Sequence, residues 1–238
     1  MICKYPILLV HGFNGFLPLI FKNNREVYFR TVPEHLRKLG VKVYFFDGLP
    51  TCTIKKRAME LCKFLKTIKE DKVNIIAHSM GGLDARCAIS RLGCESHVAS
   101  LTTINTPHHG VEIADSVSKV RVFSRGPFSD WLDAIEVLTP WYLKEFNEVA
   151  KDSSDVKYFS IISYIHGVWG FNPALLITDS ILKKYYPWSD GIVTVSSQKW
   201  GEVIKTIKAD HWQTIGWGTL NVSKLYEDII NKLGERGF

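Results

Sequence analysis

Six short apolar runs, each separated from the next by helical or irregular stretches, constrain this chain more than any other feature. They fall at residues 6–10, 41–46, 73–77, 98–104, 158–163 and 203–207. Runs of this length and composition read as buried strands, and strands alternating with helices build βαβ units around a mostly parallel sheet. Between the second and third runs, Ile54, Ala58, Leu61, Leu65 and Ile68 recur at helical spacing, one apolar stripe with Lys and Glu facing outward. Asn221 or Ser223 can cap a last helix carrying Leu225, Ile229, Ile230 and Leu233. No repeat, low-complexity tract or linker interrupts the pattern. The 238 residues are therefore expected to form one α/β domain with helices on both faces of its sheet.

One stretch departs from this rhythm. Residues 111–150 give helical fragments broken at Gly126-Pro127 and at Pro140, and they concentrate large apolar side chains. An insertion of this length exceeds an ordinary α/β connection. It reads either as a helical excursion burying its own aromatics or as a cap over the carboxyl ends of the strands, where open α/β sheets bind ligands. On the second reading Phe123, Phe128, Trp131, Leu132 and Trp141 are the expected substrate-binding residues.

Composition sets outer limits. Hydrophobic residues at 46% and charged residues at 23% are ordinary globular values. No apolar run reaches the roughly 18 residues of a spanning helix. The five cysteines, odd in number and without a CxxC pair, argue against a disulfide framework and against a zinc site. The formal charge of +6 is spread along the chain rather than clustered, which speaks against nucleic acid. It fits a solvated cationic surface, or a transient attraction to an anionic lipid interface. Residues 1–5 are short and mixed where a secretory signal would need a longer apolar core. The chain as it stands is thus expected to be cytoplasmic, although leaderless export would look the same.

The chemistry concentrates at Ala77-His78-Ser79-Met80-Gly81-Gly82, directly after the third strand and before a helix-like run. That is the setting of a nucleophile elbow, a serine on a tight strand-to-helix turn with small residues two places before and after it. A serine hydroxyl needs an adjacent base, itself held by a third group. In this arrangement an acid and then a histidine follow along the chain. His211 lies just past the last strand and suits the base, whereas His166 reads as a loop residue near the pocket. Asp190, in Ser189-Asp190-Gly191, suits the acid; Asp210 adjoins the histidine and Asp179 falls in a helix-like run. The Met80 N–H and the Phe13 N–H, in His11-Gly12-Phe13-Asn14-Gly15, are the expected donors to an oxyanion. His11, His108 and His109 read as loop-organising residues.

These motifs resemble the bacterial true lipases of the Pseudomonas and Proteus type. Residues 4–13, Thr106-Pro107-His108-His109-Gly110, Ser189-Asp190-Gly191 and Val195-Ser196-Ser197 carry the likeness, and the elbow is similar to that of the small Bacillus lipases. The resemblance implies an α/β hydrolase with Ser79, Asp190 and His211 as triad and Phe13 and Met80 as oxyanion donors. It also implies a structural calcium, but Gln213 and Asn172-Pro173 stand where two ligand carboxylates would be, so no metal or other cofactor is expected. The expected activity is hydrolysis of lipid-like acyl esters through an acyl-enzyme. A lysophospholipase, thioesterase or short-chain esterase would use the same residues. A non-catalytic relative, or a peripheral membrane protein, would have no need of them.

Overall fold

The computed structural model describes residues 3–13, 25–49, 51–118, 129–167, 171–184 and 186–238. The strands are β1 (Ile7–Val10), β2 (Val43–Phe46), β3 (Val73–His78), β4 (Val98–Ile104), β5 (Lys157–Tyr164) and β6 (Glu202–Lys208). They pair in the order β2-β1-β3-β4-β5-β6, and each pairing is parallel. All six apolar runs of the sequence are strands. The last, β6, is an edge strand, more exposed and carrying Lys205 and Lys208, charges that discourage further strand pairing.

The helices are α1 (Val32–Lys38), α2 (Ile54–Leu65), α3 (Met80–Arg91), α4 (Glu112–Ser118), α5 (Ser129–Glu136), α6 (Pro140–Val149), α7 (Pro173–Leu182), α8 (Val195–Gln198) and α9 (Val222–Glu235). Successive side chains of a strand point to opposite faces. Leu8, Val10, Ile75 and Ala77 therefore meet α2 and α3, while Ile7, Leu9 and Ile76 meet α1 and α9. Ile54, Ala58, Leu61 and Leu65 form the buried stripe of α2, and Thr53 caps that helix. Asn221, one of the two candidate caps, accepts the Lys224 N–H at the start of α9.

The insertion divides into two parts. Val137, Leu138, Leu143 and Phe146 pack into the core on the α2–α3 side, which anchors its second half. Phe123 and Phe128 lie outside the described residues. The cysteine reading needs correction, because Cys62 of α2 and Cys94 are joined in a disulfide. They lie 32 residues apart in sequence, so the fold and not a local motif brings them together.

Register places the active end. Val10 lies opposite Ala77, and Ala77 opposite Thr103, so β1, β3 and β4 end at a common edge. The segments leaving that edge carry His11, Ser79 and Asn105, and β5 and β6 deliver Ile165 and Ala209 to the same side.

Candidate active site

Ser79 sits at the turn from β3 into α3 with φ 56° and ψ −133°. A side chain in such a region costs on the order of 1–3 kcal/mol and persists only where its surroundings over-determine it. Here the Ser79 N–H donates to the Ile104 carbonyl at 2.9 Å, and the Ser79 carbonyl accepts from Thr106 Oγ1 at 2.8 Å. Gly81 lets α3 start against β1, since a Cβ there would lie 2.6 Å from the His11 oxygen. Met80 is the first residue of α3, so its N–H has no acceptor within the helix.

His211 Nε2 lies 3.0 Å from Ser79 Oγ, and His211 Nδ1 lies 2.7 Å from Asp190 Oδ2. The other oxygen, Asp190 Oδ1, accepts the N–H groups of Ile192 and Val193 at 2.9 and 2.7 Å. The His211 N–H in turn donates to the Asp190 carbonyl at 2.9 Å, locking the two loops together. Asp190 is fully buried, so each carboxylate oxygen has a partner where water is excluded. The three residues singled out in sequence thus form one hydrogen-bonded chain. Asp179 is engaged elsewhere, accepting from Ser189 Oγ at 2.6 Å and pairing with Lys183.

Ser79, His211 and Phe13 open on a cavity of about 750 Å³, well within the range of ligand sites. Its walls are mostly apolar, with Val111, Ala114 and Leu138 on one side and Leu175, Ile192 and Ile215 on the other. The insertion supplies one wall and α7 another, a part the sequence reading did not foresee. Trp131, Leu132 and Trp141 do not line the cavity. Leu132 is buried, Trp131 packs on Phe13 at a ring separation of 6.4 Å, and Trp141 is 49% exposed beside Tyr142. Apolar size marked Leu132 for burial but not Trp141, and it did not tell which side chains would border the void. His166 stacks on Trp188 and is likewise absent from the lining.

A profile describing the α/β hydrolase fold matches residues 5–154. The chain belongs to the α/β hydrolase fold family. Triacylglycerol lipase 2 of Saccharomyces cerevisiae is 36% identical over 80% of this chain, which spans 62% of that protein's length. A triacylglycerol lipase of Vibrio cholerae is 35% identical over 49% of this chain and 37% of its own. Among solved structures, the mature lipase BlEst2 of Bacillus licheniformis superposes with a TM-score of 0.76 at 24% identity, covering 97% of this chain and 92% of its own. The lipase of Staphylococcus hyicus gives 0.77 at 18%, covering 97% and 95%.

Several residues of this α/β hydrolase that hold the site were not singled out by the sequence. Tyr28 Oη accepts the Gly12 N–H at 3.1 Å and donates to His78 Nδ1 at 2.6 Å. His78 Nε2–H then donates to the His211 carbonyl at 2.9 Å. Burial, with the charge of nearby His211, holds the His78 imidazole well below its ordinary pKa. It is a neutral imidazole donating at one nitrogen and accepting at the other. Arg57 of α2 and Asp84 of α3 form a fully buried ion pair at 2.7 Å, and Arg57 Nη2 donates to the His11 carbonyl at 2.8 Å. Burial raises the Asp84 carboxyl to about 6 against the pull of Arg57. His108, expected to organise its loop, is buried, stacks on Trp200 and meets Thr103 Oγ1 at 3.1 Å.

The residues at the positions implied for calcium do not fit a hard cation. Gln213 Oε1 accepts the Asp210 N–H at 2.9 Å, and Asn172 Oδ1 accepts the Ala174 N–H at 3.0 Å. The nearby Asp210 carboxylate takes the N–H groups of Asn172, Trp212 and Gln213. Two neutral amides thus stand where carboxylates would be needed, and these side-chain oxygens are turned toward backbone N–H groups.

Proposed function

We propose that the chain is a serine hydrolase of lipid-like carboxylic esters. The observation that carries this reading is the Ser79–His211–Asp190 chain opening on the apolar cavity. Ser79 Oγ attacks the ester carbonyl as His211 Nε2 takes its proton. Asp190 fixes the imidazole tautomer and stabilises the imidazolium that forms. The Met80 and Phe13 N–H groups receive the oxyanion. His211 then protonates the departing alcohol, and water activated by the same base releases the acid from the acyl-enzyme. The cavity takes the acyl chain, whose burial contributes roughly 0.8 kcal/mol per CH₂.

A fluorophosphonate probe tests the nucleophile directly. The expected result is one stoichiometric adduct on the peptide containing Ser79, absent from Ser79→Ala. Labelling elsewhere, or none, would contradict the proposal.

A further inference from the structure

The lining of the acyl cavity contains one residue with a permanent charge among those described, and that residue is Arg30. Among the described residues no carboxylate lines the cavity with it, and none forms an ion pair with Arg30. Its backbone is left-handed, φ 51°, a conformation that glycine or asparagine would occupy more easily than arginine. Its guanidinium lies over the Trp217 ring at 4.4 Å from the centroid. Trp217 is anchored in turn, its Nε1–H donating to the Tyr28 carbonyl at 3.1 Å. Gly216 brings this wall up to the arginine, since a Cβ there would lie 3.0 Å from Arg30 Cβ. A guanidinium lying against an indole face keeps its N–H edge for a planar, bidentate acceptor. Arg30 is also exposed, so that edge borders solvent at the cavity rim.

We infer that Arg30, backed by Trp217, is an anion subsite that receives a phosphate on the head of an acyl ester. The inference rests on the ester-hydrolase reading for the position of the acyl chain. A carboxylate released by hydrolysis would form at Ser79. With the acyl chain running inward, a phosphate on the leaving alcohol faces the solvent rim of the cavity, where the exposed Arg30 stands. A mostly apolar cavity with a fixed cation at its exposed rim therefore suits a phosphate-bearing acyl ester better than a neutral glyceride.

Calorimetric titration of octyl phosphate and of 1-octanol tests this on the unmodified protein, and neither ligand can turn over. The expected result is a preference for the phosphate of about tenfold or more, the scale of a charge-assisted bidentate contact. In Arg30→Gln that ratio falls close to one, and Arg30→Lys, with charge but no planar fork, retains part of it. Inorganic phosphate alone is expected not to displace octyl phosphate at equal concentration. No preference in the unmodified protein, or a ratio unchanged in Arg30→Gln, would overturn the subsite. Displacement by inorganic phosphate would overturn its assignment to a lipid head. Because binding needs no catalysis, failure here is distinct from failure of the hydrolase reading, which the Ser79 adduct reports.

Discussion

His78 faces two ways, accepting from Tyr28 on the side of the Gly12 loop and donating to the backbone of His211 on the other. It ties the candidate oxyanion loop to the candidate base through the residue preceding Ser79. Tyr28→Phe keeps the ring in the cavity wall but leaves the Gly12 N–H and His78 Nδ1 without their partner. The expected result is a fall in kcat of about ten- to a hundredfold with KM little changed, because small misplacements in a site are costly in rate. Steady-state kinetics on one ester checks it, and an unchanged kcat would contradict the role. Burial also holds His108 well below its ordinary pKa. Below about pH 6.5 the unfolded histidines take up protons that the folded ones refuse, so stability falls with pH. Asp84, raised to about 6, acts with the opposite sign, since the folded state keeps its proton longer than the unfolded one. Half-buried His109 adds to the histidine effect and Glu112, raised by burial, to that of Asp84; the fully buried histidines dominate, and urea unfolding is expected to give a lower stability at pH 5.5 than at pH 7. Equal or higher stability at pH 5.5 would contradict neutral His78 and His108. Ser79, Asp190 and His211 were legible because each follows an apolar run or a turn signal. Tyr28, Arg30 and Arg57 were not, because their partners are distant in sequence.

At the level of elements, the inner strands β1, β3, β4 and β5 were legible because each is apolar enough to be buried on both faces, and the edge strands β2 and β6 because β-branched and aromatic residues gather in them. The insertion was less so. Its aromatics mark burial, and burial in the core and burial beside a ligand leave the same pattern in sequence. The cysteine reading failed for a related reason, since an odd count says nothing about two residues that folding brings side by side. Cys62 belongs to α2, and Cys94 lies between α3 and β4, so their bond fastens two neighbouring crossovers. A loop of this size is expected to add about 2–4 kcal/mol. Urea unfolding with and without reductant measures the difference, and coincident curves would contradict it. Such bonds persist in oxidising surroundings, whereas in a reducing cytosol the two thiols would stay apart. Among the described residues, no helix is long and apolar enough to cross a membrane.

At the level of the whole molecule, a parallel sheet delivers Ser79, Asp190 and His211 to one edge, and the insertion and α7 enclose an apolar space above it. The outer side of α7 leaves Ile177 68% and Ile181 47% exposed. On the proposed ester-hydrolase reading, a wall with apolar residues on both sides and a net charge of +6 would serve delivery of substrate from a lipid surface. Initial rates on p-nitrophenyl esters from acetate to palmitate, with Ser79→Ala as the blank, test the central claim most directly. The account predicts a maximum at acyl chains of about eight carbons or longer, with no activity above background in Ser79→Ala. A maximum at two to four carbons, or a rate that survives the loss of Ser79, would contradict it.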